Sequence, residues 1–374
     1  MLSPAPDGTA DVLVVGGGIT GLSAALALGE AGARVRVVDW GQSAGSNANA
    51  GSLHVQLQSR ALRLFPELAA AVEDQLPLYV AAVAEWERLE ALHGPFDLVH
   101  AGGLMVAEND DQLRFLDDKA GRERRRGLDV DILDRAALDR IAPWLGPEIV
   151  GAELCRNEGK LNPLLANARL KAAAAAVGVS FASDRIDGIE PDGAFVVARG
   201  REPHRARRVL VATGWGSGPL AACLGVKAPA VGEPLHMNIT EPADYRMAHL
   251  VQHAERPITL KQFASGHIVI GGGWRAEAAE AGPRVRAESL VGNVALAARV
   301  APAIGNLRII RTWAGLNPVA DGRTILARTN LGVVAVPGDA GYTLGPLVGR
   351  AAAALLSGGD LPFDPEPFSP ARFG

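Results

Sequence analysis

The apolar positions of this chain fall into short continuous runs, set between longer stretches whose apolar residues recur at helical spacing. That alternation predicts strands buried on both faces and connected by helices, as in a parallel sheet. Residues 12–15 (Val-Leu-Val-Val) predict a first strand, residues 19 to about 32 a helix, and residues 34–39 a second strand. A mostly helical stretch follows over 66–92, where Leu76, Val80, Val83 and Leu92 recur at compatible spacing and Pro77 predicts a kink or a break between two helices. A strand over 98–106 and helices over 110–126 and 134–141 come next. From 149 the pattern returns to a strand, a helix opened by Asn162-Pro163 and running through Val177, and strands at 178–181 and 208–214. Strand-like runs surround Met237 and cover 267–270, and the tail reads as a strand at 332–336, a glycine-rich turn and a helix at 345–356. No internal repeat is visible, and the alanine run 172–176 favours helix.

The first turn carries the clearest chemistry. Gly16, Gly18 and Gly21 stand at Gly-x-Gly-x-x-Gly spacing: the first makes the turn, the second lets backbone approach a pyrophosphate, and the third lets helix pack closely on strand. Ile19 and Thr20 open the helix, whose N-terminal N–H groups point at that phosphate. Asp39, followed by Trp40, ends the second strand and is placed to accept hydrogen bonds from an adenosine ribose. A lone glycine fingerprint is weak, but strand, helix and acid agree in order and distance. Together they predict a dinucleotide site. FAD and NAD(P) remain alternatives at this point, since both carry an ADP half.

At 374 residues, two domains are expected. The dinucleotide-type pieces lie at 1–60, 150–220 and 305–374, and the intervening 61–149 and 221–304 read as one discontinuous substrate domain, with a site between the two. A hydrophobic content of 48% and a charged content of 21% suit a soluble globular protein, and a net charge of −4 argues against nucleic acid as a partner. Cys155 and Cys223 are too few and too isolated for a disulfide framework or a cysteine metal site; no Cys-x-x-Cys occurs, so no iron–sulfur cluster and no metal are expected. The first residues lack a basic segment before an apolar core, and no apolar run approaches about 18 residues, so no membrane span and a cytoplasmic location are expected.

Seven motifs in order resemble one family, the FAD-dependent amine and amino-acid oxidoreductases of the D-amino-acid oxidase type. They are the glycine fingerprint with Asp39; Asn47-Ala-Asn49-Ala50-Gly51; Glu158-Gly-x-x-Asn162-Pro163; Val211-Ala-Thr213-Gly214; Gly271-Gly-Gly273; Trp313-Ala-Gly-x-x-Pro318 with Asp321-Gly322; and Gly341-Tyr342-Thr343-Leu with Pro346-x-x-Gly349. Within the family, Asn49-Ala-Gly-Ser-Leu-His54-Val-Gln56 looks most like the catalytic FAD subunits of opine oxidases and hydrogen cyanide synthase, and Gly341-Tyr342-Thr343 is also similar to D-amino-acid dehydrogenases. The resemblance implies an α/β fold: a Rossmann-like FAD-binding domain with a discontinuous α+β substrate domain. It also implies a dehydrogenase that takes hydride from a carbon bearing an amine near a carboxylate. Electrons would pass to partner subunits carrying further redox cofactors rather than directly to oxygen.

The same resemblance names site residues. Gly338, Gly341, Tyr342 and Thr343 would face the flavin pyrimidine, Asn47, Asn49, Ala50 and Gly51 would lie where the chain crosses the flavin, and Thr213, Gly214 and Trp215 would border the cofactor. His54 and Tyr342 are catalytic candidates near substrate or flavin. Many relatives carry a carboxylate-binding Arg just before the proline of the Trp-Ala-Gly motif; here Asn317 stands there, and Arg275 is the first substitute, ahead of Arg311 and Lys261, which read as solvated or structural charges. Oxygen-using sarcosine oxidases place a Lys near the 267–270 strand, where Val269 aligns, and no cysteine near Pro318 suggests a covalent link, so non-covalent FAD and a dehydrogenase are expected. Where relatives often have His, Asp339 stands; Gly338-Asp339-Ala340 resembles aromatic-ring hydroxylases and keeps an NAD(P)H-using flavin monooxygenase as the alternative, beside a non-catalytic FAD subunit. The basic run 122–126 reads as a solvated helix end or a docking surface.

Overall fold

The computed structural model describes residues 9–41, 45–244, 246–279 and 282–374; the first residues, read above for a leader, lie outside them. The first apolar run forms the strand Ala10–Val15, parallel to both Val35–Asp39 and Pro203–Val211, with Val14 opposite Val37 and Leu210. Both faces of it are covered, which is why it carries no alternation: Val12, Leu13 and Val14 have no exposed surface. Gly332–Val336 and Ser180–Ser183 extend this sheet on either side in parallel, and Ile325–Arg328 closes one edge in antiparallel. The hairpin Gly188–Asp192 and Phe195–Arg199 hangs from Pro203–Val211.

The second sheet is mostly antiparallel and runs in the order Ile309–Val319, Val231–Thr240, Ile268–Gly271, Thr259–Gln262, Leu250–His253, Gly103–Ala107, Gly151–Cys155, Val130–Asp134. Two of these strands correct the expected division of the chain. Gly151–Cys155 and Ile309–Val319 pair in this sheet, although 150–220 and 305–374 were expected in the dinucleotide unit. Strand composition alone carries no record of which sheet will take it. The small ribbon of Ser52–Leu53 with Gly159–Lys160 joins the segment after the nucleotide turn to the start of the next crossover.

Helix Ile19–Glu30 packs against the tail helix Gly341–Ser357. The approach is close because of two glycines four residues apart. A Cβ on Gly345 would sit 2.5 Å from Ile19 Cγ2, and one on Gly349 2.4 Å from the Thr20 carbonyl. The tail helix starts at Gly341, four residues before the expected 345, and tolerates Pro346 inside it. Proline there leaves the Tyr342 carbonyl without its helical donor. The indole of Trp86 supplies one, with Nε1 3.3 Å from Tyr342 O and 3.1 Å from Thr343 O, its ring stacked on Tyr342.

The break between two helices expected at Pro77 is present, between Ala69–Glu73 and Leu76–His93. Pro77 lies in the first turn of the second, where its missing N–H has no partner to lose. The helices Asp110–Arg125 and Arg135–Ile141 are capped by Asn109 and Asp134, and Pro163–Ala176 by Asn162. Of the basic run, Arg122 pairs with Glu73, Arg126 with Asp74 at 2.6 Å, and Arg124 donates to the Val130 carbonyl. Much of that charge is therefore used within the chain. No helix among the described residues is long and apolar enough to cross a membrane.

Candidate active site

A cavity of about 1080 Å3 runs from the carboxyl ends of the parallel strands to one face of the second sheet. At its first end Gly16 has φ +107°, and a Cβ there would meet the Ala212 carbonyl at 2.4 Å. Gly18 caps the first helix with no side chain of its own over the N-terminus, and it borders the cavity with Ile19 and Thr20. Gly21 does not line the cavity. Its missing Cβ would fall 1.9 Å from the Gly16 carbonyl, so it sets the helix against the turn. Asp39 accepts from Gly17 N and Gly41 N, each at 2.7 Å, and Trp40 beside it carries the Arg185 guanidinium over its ring at 4.8 Å. Thr213, Gly214 and Trp215 form the opposite border.

The crossing segment is tied down from several sides. Ser46 Oγ accepts from Ile19 N at 2.9 Å, and Asn167 Nδ2 donates to Ser46 O and to Asn47 Oδ1, both at 3.1 Å. Asn49 and Ala50 line the cavity, whereas Asn47 and Gly51 stand behind it; a Cβ on Gly51 would meet the Leu161 carbonyl at 2.0 Å. His54 lines the cavity half-buried, with Nδ1 3.9 Å from Glu158 Oε1.

Glu158, fully buried, holds the segment after His54. Its Oε1 accepts from Val55 N at 2.8 Å and Gln56 N at 3.1 Å, and its Oε2 from Gln56 Nε2 at 2.7 Å and Gln252 Nε2 at 3.1 Å. Leu57 N donates to Glu123 Oε1 at 2.6 Å, and Lys119 Nζ bridges Glu123 and Glu153 at 2.7 and 2.9 Å. Burial pushes the Glu153 carboxyl well above the usual range, against the opposing pull of the Lys119 ammonium beside it.

At the other end, side chains on one face of the second sheet meet the crossing segment. Lys261 lies directly opposite Val269 in the neighbouring strand, with no exposed surface and Nζ 2.5 Å from Ser52 Oγ. Burial, with the like charge of Lys160 added, pushes it down to about 7. Of the two expectations, a solvated or a structural charge, the solvated one fails here, because Lys261 is buried against Ser52.

Two catalytic candidates move out of the chemistry. Arg275 is 73% exposed at the rim, pairs with Glu233 at 3.5 Å and does not line the cavity. Its guanidinium is therefore no carboxylate clamp. Tyr342 is buried against Trp86, and its hydroxyl donates to Asn167 Oδ1 at 2.9 Å, so it positions helices rather than reacting atoms. Gly338 is likewise structural, its hydrogen facing the Gly322 carbonyl. The turn after it is strained: Ala340 has φ +55° as the residue opening the tail helix. Thr343 lines the cavity with Oγ1 buried and without a partner among the described residues.

A model for the family described as DAO, FAD dependent oxidoreductase, matches residues 11–355. The chain belongs to that family. Among the DAO family's characterised members, an opine oxidase subunit of Rhizobium meliloti is 25% identical over 377 residues, covering 97% of each chain. Glycine oxidase of Pseudomonas aeruginosa is 28% identical over 377 residues, covering 96% of this chain and 98% of its own. The solved L-proline dehydrogenase of P. horikoshii superposes with a TM-score of 0.84 at 20% identity, covering 98% of each chain, and so shares the fold. As a DAO family member this protein is an FAD-dependent oxidoreductase. The site fits that cofactor: a helix N-terminus capped by a glycine, an acid at the end of the second strand, a turn that a Cβ would block, and the orphaned Thr343 hydroxyl all border one cavity.

Sequence reasoning missed three contributors. Gln252 and Glu123, far apart in sequence, hold the 54–57 wall, and Arg60, on the short helix Ser59–Leu64, lines the cavity. Among the described residues no group of three or more His, Cys, Asp and Glu is arranged to hold a metal ion.

Proposed function

We propose that this protein is an FAD-dependent dehydrogenase that oxidises the C–N bond of a small carboxylated amine, an opine-like secondary amine or an amino acid, and passes the electrons to partner subunits. The observation that carries the reading is end-to-end similarity to the opine oxidase polypeptide of Rhizobium meliloti in a chain whose cavity joins the nucleotide turn to a partly polar sheet face. Bound FAD supplies the hydride acceptor. The chain's own residues bind the ADP half at Gly16, Gly18 and Asp39, hold the crossing segment through Ser46 and Glu158, and close the inner wall with Ser52 over Lys261. His54 is the half-buried titratable side chain nearest Glu158 on that wall, suited to orient the amine. Neither Cys155, buried in the second sheet, nor the exposed Cys223 borders the cavity, in keeping with non-covalent FAD.

Anaerobic titration of the yellow protein with opines and amino acids tests the reading: one of them should bleach the flavin without NAD(P)H. Bleaching by NAD(P)H alone would favour the monooxygenase, and bound FAD that no amine reduces would favour a non-catalytic subunit. One observation favours a second reading. Lys261, buried beside Ser52 and opposite Val269, resembles in placement the lysine of oxygen-using sarcosine oxidases. Rapid reoxidation of the reduced protein by air would support that oxidase reading over electron transfer to a partner.

A further inference from the structure

Among the described residues four arginine and lysine side chains border the cavity, and three are engaged. Arg185 stacks on Trp40 at the nucleotide end, Arg256 pairs with Glu108 at 2.9 Å, and Lys261 is bonded to Ser52. Arg60 alone has no hydrogen-bond or ion-pair partner among the described residues, and its side chain is exposed where it lines the cavity. The helix that carries it, Ser59–Leu64, is anchored at its inner end. Ser59 is buried and its Oγ donates to the Ala254 carbonyl at 2.7 Å. Its outer end is open, with Leu64 56% and Phe65 52% exposed at the mouth. Arg60 and Leu64, four residues apart, share the face turned to the cavity, so the cation sits on the inner turn and the apolar side chain outside it.

A free guanidinium lining the cavity has a definite ligand chemistry. It offers a planar fork of donors matched to a carboxylate, and it needs no existing pair to be broken. Asn317 lines the cavity but carries no charge, and Arg275 points to the rim. We propose that Arg60 recognises the substrate carboxylate and is the residue that makes the site select acids over their neutral analogues. The proposal rests on the carboxylated-amine reading above. Arg60 forms an ion pair with the carboxylate and takes no part in bond making or breaking.

The test uses the FAD-loaded protein and two non-oxidisable probes of nearly equal size, propionate and propionamide, with the visible flavin spectrum as reporter. Propionate should perturb the spectrum saturably and propionamide should bind at least tenfold more weakly. Arg60→Leu should weaken propionate binding roughly 10- to 100-fold, the range expected when a charged hydrogen-bonded pair is lost, and should erase the preference over the amide. Arg60→Lys should recover part of it. Because Arg60 is exposed, both variants should keep wild-type FAD content and thermal midpoint. Propionate binding that is the same in Arg60→Leu, or no preference for the acid in the wild type, overturns the proposal. Failure of every amine to bleach the flavin would defeat the dehydrogenase reading instead, and the propionate comparison would still decide the role of Arg60.

Discussion

Replacing Lys261 by methionine probes the electrostatics of the inner wall with little change of volume. Lys261 has no exposed surface, and its burial, with Lys160 nearby, lowers its pKa from 10.5 to about 7. A shift of that size corresponds to about 5 kcal/mol between its charged and neutral forms. The direction follows from proton binding. Below pH 7 the folded chain carries a buried ammonium and bears the whole penalty. Between pH 7 and 10.5 the unfolded chain still holds a proton that the folded chain has released, so stability rises with pH; above 10.5 the slope ends. Methionine removes that slope. It also forfeits the hydrogen bond to Ser52, worth about 1 kcal/mol. With relaxation of the wall reducing the ideal figure, Lys261→Met should be about 2–4 kcal/mol more stable than wild type at pH 6. The difference should shrink to zero or reverse slightly by pH 10.

Guanidinium unfolding of both proteins at the same saturating FAD concentration, from pH 6 to 10, measures this. A difference that does not change with pH, or a variant less stable at pH 6, would refute the burial argument. The same variant separates the two functional readings: if Lys261 governs the reaction with oxygen, air reoxidation slows at least tenfold, whereas amine-driven bleaching continues.

Three further outcomes follow from where the structure places the candidates. Tyr342→Phe should lose about 1 kcal/mol of stability with the Asn167 hydrogen bond and leave kcat within twofold, and a large fall in kcat in a folded variant would restore its catalytic role. Thr343→Val should leave the apoprotein as stable as wild type, since the buried hydroxyl has no partner among the described residues, yet weaken FAD roughly tenfold in equilibrium titration. Arg275→Leu should leave the Michaelis constant for a carboxylated amine within twofold, because its guanidinium faces solvent and Glu233; a sharp rise would return it to the site.

What could be read from the sequence follows from which signals are local. The strand 12–15 is legible because burial on both faces demands a continuous apolar run, and Gly16, Gly18 and Gly21 are legible because the turn leaves no room for a side chain. Caps such as Asn109, Asp134 and Asn162 act within one turn. The start of the tail helix at Gly341 was hidden because Pro346 discourages helix locally, and the compensating donor, Trp86, lies about 260 residues away in sequence. Lys261 reads from the sequence as a solvated or structural charge; its burial against Ser52 depends on the Ser52–Leu53 ribbon, distant in sequence. Arg275 looked central from its motif, but the bridge between Leu235 and Arg275 sets it beside Glu233 at the rim.

The polar inner wall explains why distant motifs must act together. Glu158 accepts two backbone N–H groups of the crossing segment and two side-chain amides, one of them from Gln252 on the second sheet. A buried carboxylate with all these donors is costly to disturb in any one place, since each freed donor would be left unsatisfied. A second set of bonds ties the first helix to the crossing segment and the tail helix: Ile19 N to Ser46 Oγ, Asn167 Nδ2 to Ser46 O, and the Tyr342 hydroxyl to Asn167 Oδ1. A shift of the 54–57 segment therefore leaves donors unsatisfied both on the crossing segment and on Gln252 of the second sheet. Glu158, which does not line the cavity, holds the crossing segment against the second sheet from behind.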